Sequence, residues 1–132
     1  EISFKRNSIK NIRLNERIGA GTKYLMGEEN AFLYECLRQG LKIYYVPKQI
    51  AKLRYEPSTW NTGFNLKFFI ARGASFDAMT ATFSLFLILQ YAIRKYKLYK
   101  DQVSLLKAIQ YMLEGRKSYR KEANEKIEGE FL

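Results

Sequence analysis

The pattern of apolar and polar positions changes character partway along the chain. Up to Pro57, apolar residues come in short groups separated by glycine and proline. Beyond Pro57 there is no proline, and apolar residues recur at helical spacing for most of the remaining length. In the first part, Phe32, Leu33, Cys36 and Leu37 fall at i, i+1, i+4 and i+5, which predicts a helix over 31–39. Glu28 and Glu29 stand at its start and Gly40 follows its last periodic residue, the acid-first and glycine-last punctuation that the helix dipole and the left-handed C′ position favour. The run Lys-Ile-Tyr-Tyr-Val at 42–46 is rich in β-formers and stopped by Pro47, and Ile50, Leu53 and Tyr55 follow. These predict a short strand pair, or one strand and an extended segment. Residues 9–17 are mixed in polarity and are broken by Gly19-Ala20-Gly21-Thr22.

In the second part the spacing predicts a short helix over 65–72 ending near Gly73, then a long one over 75–99. Within the latter, 78–93 carries no charge over 16 residues. A spanning helix needs roughly 20 apolar residues, and Thr80, Thr82, Ser84 and Gln90 weaken the run further, so a buried or interfacial helix is expected. Asp101 is placed to cap a helix over 102–114, striped by Val103, Leu106, Ile109 and Leu113 and closed by Gly115. From Arg116 the chain is highly charged, as in a frayed helix or tail. The expected fold class is therefore α+β and mostly helical, with a mixed region at 1–57 and a helical extension at 58–132.

Composition narrows the chemistry. The 132 residues are 47% hydrophobic and 27% charged, enough to bury the core of one domain or of a piece of one. The chain opens on Glu1 with apolar residues from Ile2 and no basic n-region, so the sequence is expected to be an internal segment and Glu1 not the start of a signal peptide. There is no histidine, and Cys36 is the only cysteine. Imidazole zinc sites, Ser-His-Asp triads and internal disulfides are excluded, a reducing compartment is the easier reading, and acid–base work falls to carboxylates. The net charge of +10 favours an acidic partner without choosing among nucleic acid, membrane and phosphorylated substrate.

Adjacent Glu28 and Glu29 are the first candidates for such work. A helix N-terminus favours an ionised carboxylate that can accept a proton, while burial and mutual repulsion oppose that; equally, the pair can be helix punctuation alone. Gly19-x-Gly21 is too short for a dinucleotide fingerprint and reads as a flexible turn. Trp60 suits either packing or a sugar-ring platform, and Lys67 and Arg72 either solvated charge or diphosphate contact. Last, Arg94, Lys95, Tyr96, Lys97, Tyr99 and Lys100 follow the uncharged run directly, and 94–121 holds nine basic and two acidic residues. Basic side chains interleaved with tyrosine fit an anionic membrane surface, with rings at headgroup level. They also fit a solvated helix whose long chains snorkel over neighbours; for nucleic acid no helix-turn-helix, zinc-finger, RNP or OB signature is present.

Taken in order, Gly19-x-Gly21, Gly27-Glu28-Glu29-Asn30-x-Phe32-Leu33, Gly40-Leu41-Lys42-Ile43 and Pro47 form a pattern, continued by Ser58-Thr59-Trp60-x-x-Gly63-x-Asn65-x-Lys67-Phe68-Phe69 and Arg72-Gly73. This pattern resembles the C-terminal part of family 2 glycosyltransferases of the GT-A fold, in a bacterial subgroup that makes surface polysaccharides. The resemblance covers about residues 1–75 by motif and the rest by general character. It implies an acceptor-side fragment of a GT-A domain at 1–57 followed by a helical, membrane-facing extension. It implies Glu29 as the general base and Glu28 as its orienting neighbour, with Glu-Glu replacing the commoner Glu-Asp. It further implies Gly21, Trp60, Lys67 and Arg72 as acceptor or phosphate contacts.

The same resemblance implies a nucleotide-sugar donor site with an Asp-x-Asp motif and a Mg or Mn ion. This chain has only Asp77 and Asp101 and no Asp-x-Asp, so no cofactor is expected here. The expected partners are an N-terminal donor-binding half, a sugar acceptor, an anionic membrane surface and a second copy of the chain. The expected location is cytoplasmic, peripheral on the inner face of the membrane. The alternative is a non-catalytic basic helical module that binds a membrane or another polyanion.

Overall fold

A computed structural model describes residues 2–49, 51–52 and 63–130, with 126–130 as backbone. The described residues are mostly helical. A 3₁₀ turn at Arg6–Ile9 precedes α1 (Glu28–Arg38), α2 (Leu66–Met79), α3 (Ser84–Arg94), the single turn α4 (Tyr96–Tyr99) and α5 (Leu105–Glu130). Helices α2 and α5 form the central pair, α3 lies against both, and α1 packs on α2.

Helix α1 carries the punctuation its sequence predicts but starts at Glu28, three residues before the expected 31, and ends at Arg38. Glu28 and Glu29 occupy its first turn. Gly40, at φ +80°, donates its N–H to Leu37 O (3.0 Å) while Leu41 donates to Cys36 O (2.9 Å), the paired bonds of a Schellman C-cap. Helix α2 is capped by Asn65, whose side chain accepts from Phe68 N (3.0 Å).

The helix expected to stop near Gly73 runs through it. A Cβ on Gly73 would lie 1.9 Å from Met112 O, and one on Gly115 would lie 2.0 Å from Ile70 O. Each glycine is where one helix lays its backbone on the other, and Gly115 is likewise interior to α5 and not its end. Glycine inside a helix costs about 1 kcal/mol relative to alanine, which close backbone approach offsets here.

The single helix expected over 75–99 is three pieces. Thr80 is extended (φ −156°, ψ 108°) and α3 restarts at Ser84. Side chains from α5 hold this break: Arg120 Nη2 donates to Ala81 O (2.6 Å), and Arg116 Nε donates to Ser84 Oγ (2.8 Å). Ser84 Oγ in turn lies 3.0 Å from both Asp77 Oδ1 and Ala81 O. Asp77, 7% exposed, receives Arg120 at 2.9 Å and Arg116 at 3.4 Å. Both basic residues that the sequence assigned to a tail are thus spent on one buried carboxylate. Helix α5 is continuous through that region, and Ser104, not Asp101, starts it, accepting from Ala108 N at its carbonyl (2.9 Å).

Two apolar clusters result. Phe69, Phe76, Ile88, Tyr99 and Met112 form one between α2, α3 and α5. Ile18, Tyr24, Ala31, Ala71, Ala74 and Tyr119 form the other, which draws on both the region before Pro57 and the helices after it.

The expected strand pair does not form among the described residues. Residues 41–49 form no regular element and no ladder, the isolated bridge Ile18–Tyr24 is the one β-type pairing among the described residues, and Ile50, Leu53 and Tyr55 lie outside them. A strand needs a neighbour for its N–H and C=O groups, and Tyr44, Tyr45 and Val46 face solvent at 75%, 89% and 68% exposure.

Candidate functional site: the acidic start of helix α1

Two glycines build the start of α1. Gly27 takes the N-cap at φ +100°, and a Cβ there would fall 1.9 Å from Ser75 Oγ, so the helix start is seated directly on α2. Gly19, at φ +111°, approaches Glu28: a Cβ on it would lie 2.8 Å from Glu28 Cδ. Glu28 is half-buried against this loop, and Glu29, one residue on, is exposed. Both border an open groove of about 550 Å³ whose other walls include Phe4, Ile12, Leu14 and Phe32. The arrangement offers one exposed carboxylate on an apolar rim, with a second packed against Gly19 beside it.

The loop over 18–24 is held rigid from its far side. Gly19 N donates to Tyr24 O (2.7 Å), and Thr22 Oγ1 lies 2.9 Å from Gly19 O and 3.0 Å from Tyr24 O. The Tyr24 ring is buried edge-on to Tyr119 of α5, and its hydroxyl lies 3.0 Å from Ser118 Oγ and from Glu122 Oε1. Lys23 hydrogen-bonds the same Glu122. Burial opposes ionisation of Glu122, but the bonds from Lys23 and Tyr24 together outweigh it and hold the carboxyl below its usual range. Arg17 adds a cation–π contact, 3.9 Å above the Tyr119 ring, and donates to the Tyr119 carbonyl (2.5 Å).

The remaining candidates scatter. Gly21 is a turn residue at φ +83° with open space around it and does not line the groove. Trp60 lies outside the described residues. Lys67 is exposed on the first turn of α2, apart from the groove lining. Arg72 stacks near Phe68 (5.3 Å) and Tyr91 (5.1 Å), so its guanidinium packs against rings where a phosphate contact was expected. Among the membrane-facing candidates, Arg94, Lys95, Tyr96, Lys97 and Lys100 are exposed. Tyr99 is not. It is fully buried, donates its hydroxyl to Ala92 O (2.6 Å) and packs edge-on to Phe69, which makes it a core residue. Among the described residues, no three His, Cys, Asp or Glu side chains converge as metal ligands, and no helix is long and apolar enough to cross a membrane.

The residues that sequence reasoning missed are the supports: Tyr24, Tyr119 and Glu122 behind the loop, and Ser75 beneath Gly27. Compared with known proteins, the chain matches no family model, no curated protein and no solved structure.

Proposed function

We propose that this chain is the acceptor-side segment of an inverting glycosyltransferase of the GT-A type, working with a donor-binding half that carries the nucleotide sugar and its divalent cation. The observation that carries the reading is the exposed Glu29 carboxylate in the first turn of α1, at the rim of a groove, beside Glu28 packed on Gly19. In the proposed step an acceptor hydroxyl oxygen attacks the anomeric carbon of the donor sugar. Its proton passes to a Glu29 oxygen, and the nucleoside diphosphate leaves with the electron pair of the broken glycosidic bond. Glu28 keeps the loop and its neighbour in register. The segment at 42–46, β-prone in sequence and without a ladder partner among the described residues, supports the reading because it can add a strand to a sheet supplied elsewhere.

The test is Glu29→Gln in the complete gene product, read as nucleoside diphosphate release from UDP-hexose and GDP-hexose donors with membranes of the source as acceptor. Loss of a general base lowers turnover by roughly 10²–10⁴ with the fold intact. A variant within about threefold of the unsubstituted protein removes Glu29 from the mechanism.

A further inference from the structure

Helix α3 is apolar on its outer side as well as its inner one. Ser84, Ile88 and Ala92 are buried at four-residue spacing and face the core. At 100° per residue, the flank beside that buried line carries Leu85, Leu89, Ile93 and Phe86 in order round the helix, exposed at 46%, 49%, 67% and 64%. Half-buried Gln90 bounds this strip beyond Phe86, and Phe83, at 61%, stands exposed just before the helix on the far side of Gln90. Water-facing arcs of helices on soluble surfaces are ordinarily polar, so a contiguous apolar strip of this kind calls for something to cover it.

The charges beside the strip identify the cover. Arg94, Lys95, Lys97 and Lys100 follow within two turns of its end, all exposed, and none forms an ion pair with another described residue. Arg116 and Arg120 differ, being neutralised by Asp77. Four unpaired positive charges therefore cluster at the end of the apolar strip, where no acidic side chain among the described residues pairs with them. No acidic residue lies between 78 and 100. A partner helix would need an apolar stripe and acidic flanks in matching register, whereas an anionic bilayer supplies both complements at once without register. The 11-residue helix is too short to cross that bilayer but suits a position in its plane.

We propose that α3 is an interfacial membrane anchor, with Phe86, Leu89 and Ile93 inserted at the acyl boundary and Arg94, Lys95, Lys97 and Lys100 on anionic headgroups. The assignment is independent of the role given to Glu29. It also replaces Tyr99 with α3 side chains as the apolar part of the contact.

The test is co-sedimentation of the full chain with vesicles of phosphatidylcholine alone, and of phosphatidylcholine with phosphatidylglycerol, at low salt. Binding is expected to the anionic vesicles and to weaken with added salt. Lys95→Gln/Lys97→Gln is expected to weaken it about fivefold per charge, roughly 25-fold for the pair. Phe86→Ser/Ile93→Ser is expected to weaken it by roughly a hundredfold or more. All four side chains are exposed, and far-ultraviolet dichroism checks that each variant keeps its helices. The proposal is overturned if anionic vesicles pellet no protein, or if either variant binds as the unsubstituted chain does. It is also overturned if sedimentation equilibrium without lipid finds a dimer that Phe86→Ser/Ile93→Ser dissolves, because a second copy then covers the face.

Discussion

Replacing Gly115 with alanine sets two effects of opposite sign against each other. Helix propensity alone favours alanine inside α5 by about 1 kcal/mol. The crossing with α2 opposes it, because the new Cβ would sit 2.0 Å from Ile70 O and 2.7 Å from Ile70 C. Those are main-chain atoms in the middle of α2, not the tip of a side chain that can swing away. Restoring ordinary contact requires the helix axes to part locally by roughly 1.4 Å, in an interior packed as densely as an organic crystal. A gap of even 0.5–1 Å forfeits about a quarter to a half of each van der Waals well, and fully buried Phe69, Ala108 and Met112 line this interface. Overpacking costs about 1–3 kcal/mol and sometimes more; taking the upper end for a main-chain clash and subtracting the ~1 kcal/mol of propensity, Gly115→Ala is expected to destabilise the fold by a net ~2 kcal/mol. Urea unfolding followed by far-ultraviolet dichroism measures it, with Asn124→Ala on the exposed face of α5 as the propensity control. Gly73→Ala meets Met112 O at 1.9 Å and is expected to behave alike. The double variant should cost less than the two singles together, because one separation of the helices relieves both clashes. If Gly115→Ala is neutral or stabilising, the backbone contact between α2 and α5 is wrong.

Asp77→Asn leaves Arg116 and Arg120 facing each other without their anion. Both guanidiniums retain some access to water, so about 2–3 kcal/mol of stability is expected to be lost, less than for a fully enclosed pair; a double-mutant cycle with Arg120→Gln should show strong coupling, and simple additivity would refute it. Glu122 is held below the ordinary carboxylate range, so its contribution is present above the unfolded value of about 4.5 and is lost as pH falls through the folded one. The stability gap between the unsubstituted chain and Glu122→Gln should therefore be open at neutral pH and close in acid; a gap constant with pH means the Lys23–Tyr24–Glu122 contacts do not act as a charged unit.

Local signals were readable and long-range ones were not. Helix α1 was legible because its start, apolar face and stop all lie within residues 28–41. Gly73 and Gly115 were misread because glycine gives the same local signal at a helix end and at a crossing, and only the facing helix distinguishes them. The break at 80–83 has only a weak local signal, Thr80 Oγ1 accepting from Phe83 N (3.4 Å), and is held by Arg116 and Arg120, more than thirty residues away. A helix start at Asp101 was plausible locally, but 99–103 is occupied by turns that continue from α4, which moves the start to Ser104. The residue types and position of Glu28 and Glu29 could be read, whereas Ser75 beneath Gly27 could not. The exposure of the outer arc of α3 was equally hidden, because an uncharged amphipathic helix and a buried one share a composition.

The clamp on Tyr24 changes what the charged C-terminal stretch means for anyone preparing this protein. Trimming at Gly115, where the sequence invites it, would discard Ser118, Tyr119 and Glu122, and with them the far-side support of the loop that abuts Glu28. It would also strand Asp77 without either cation. A shortened chain that lost activity would then say nothing about catalysis by the deleted residues. What looks like a disposable handle is the backrest of the acidic site.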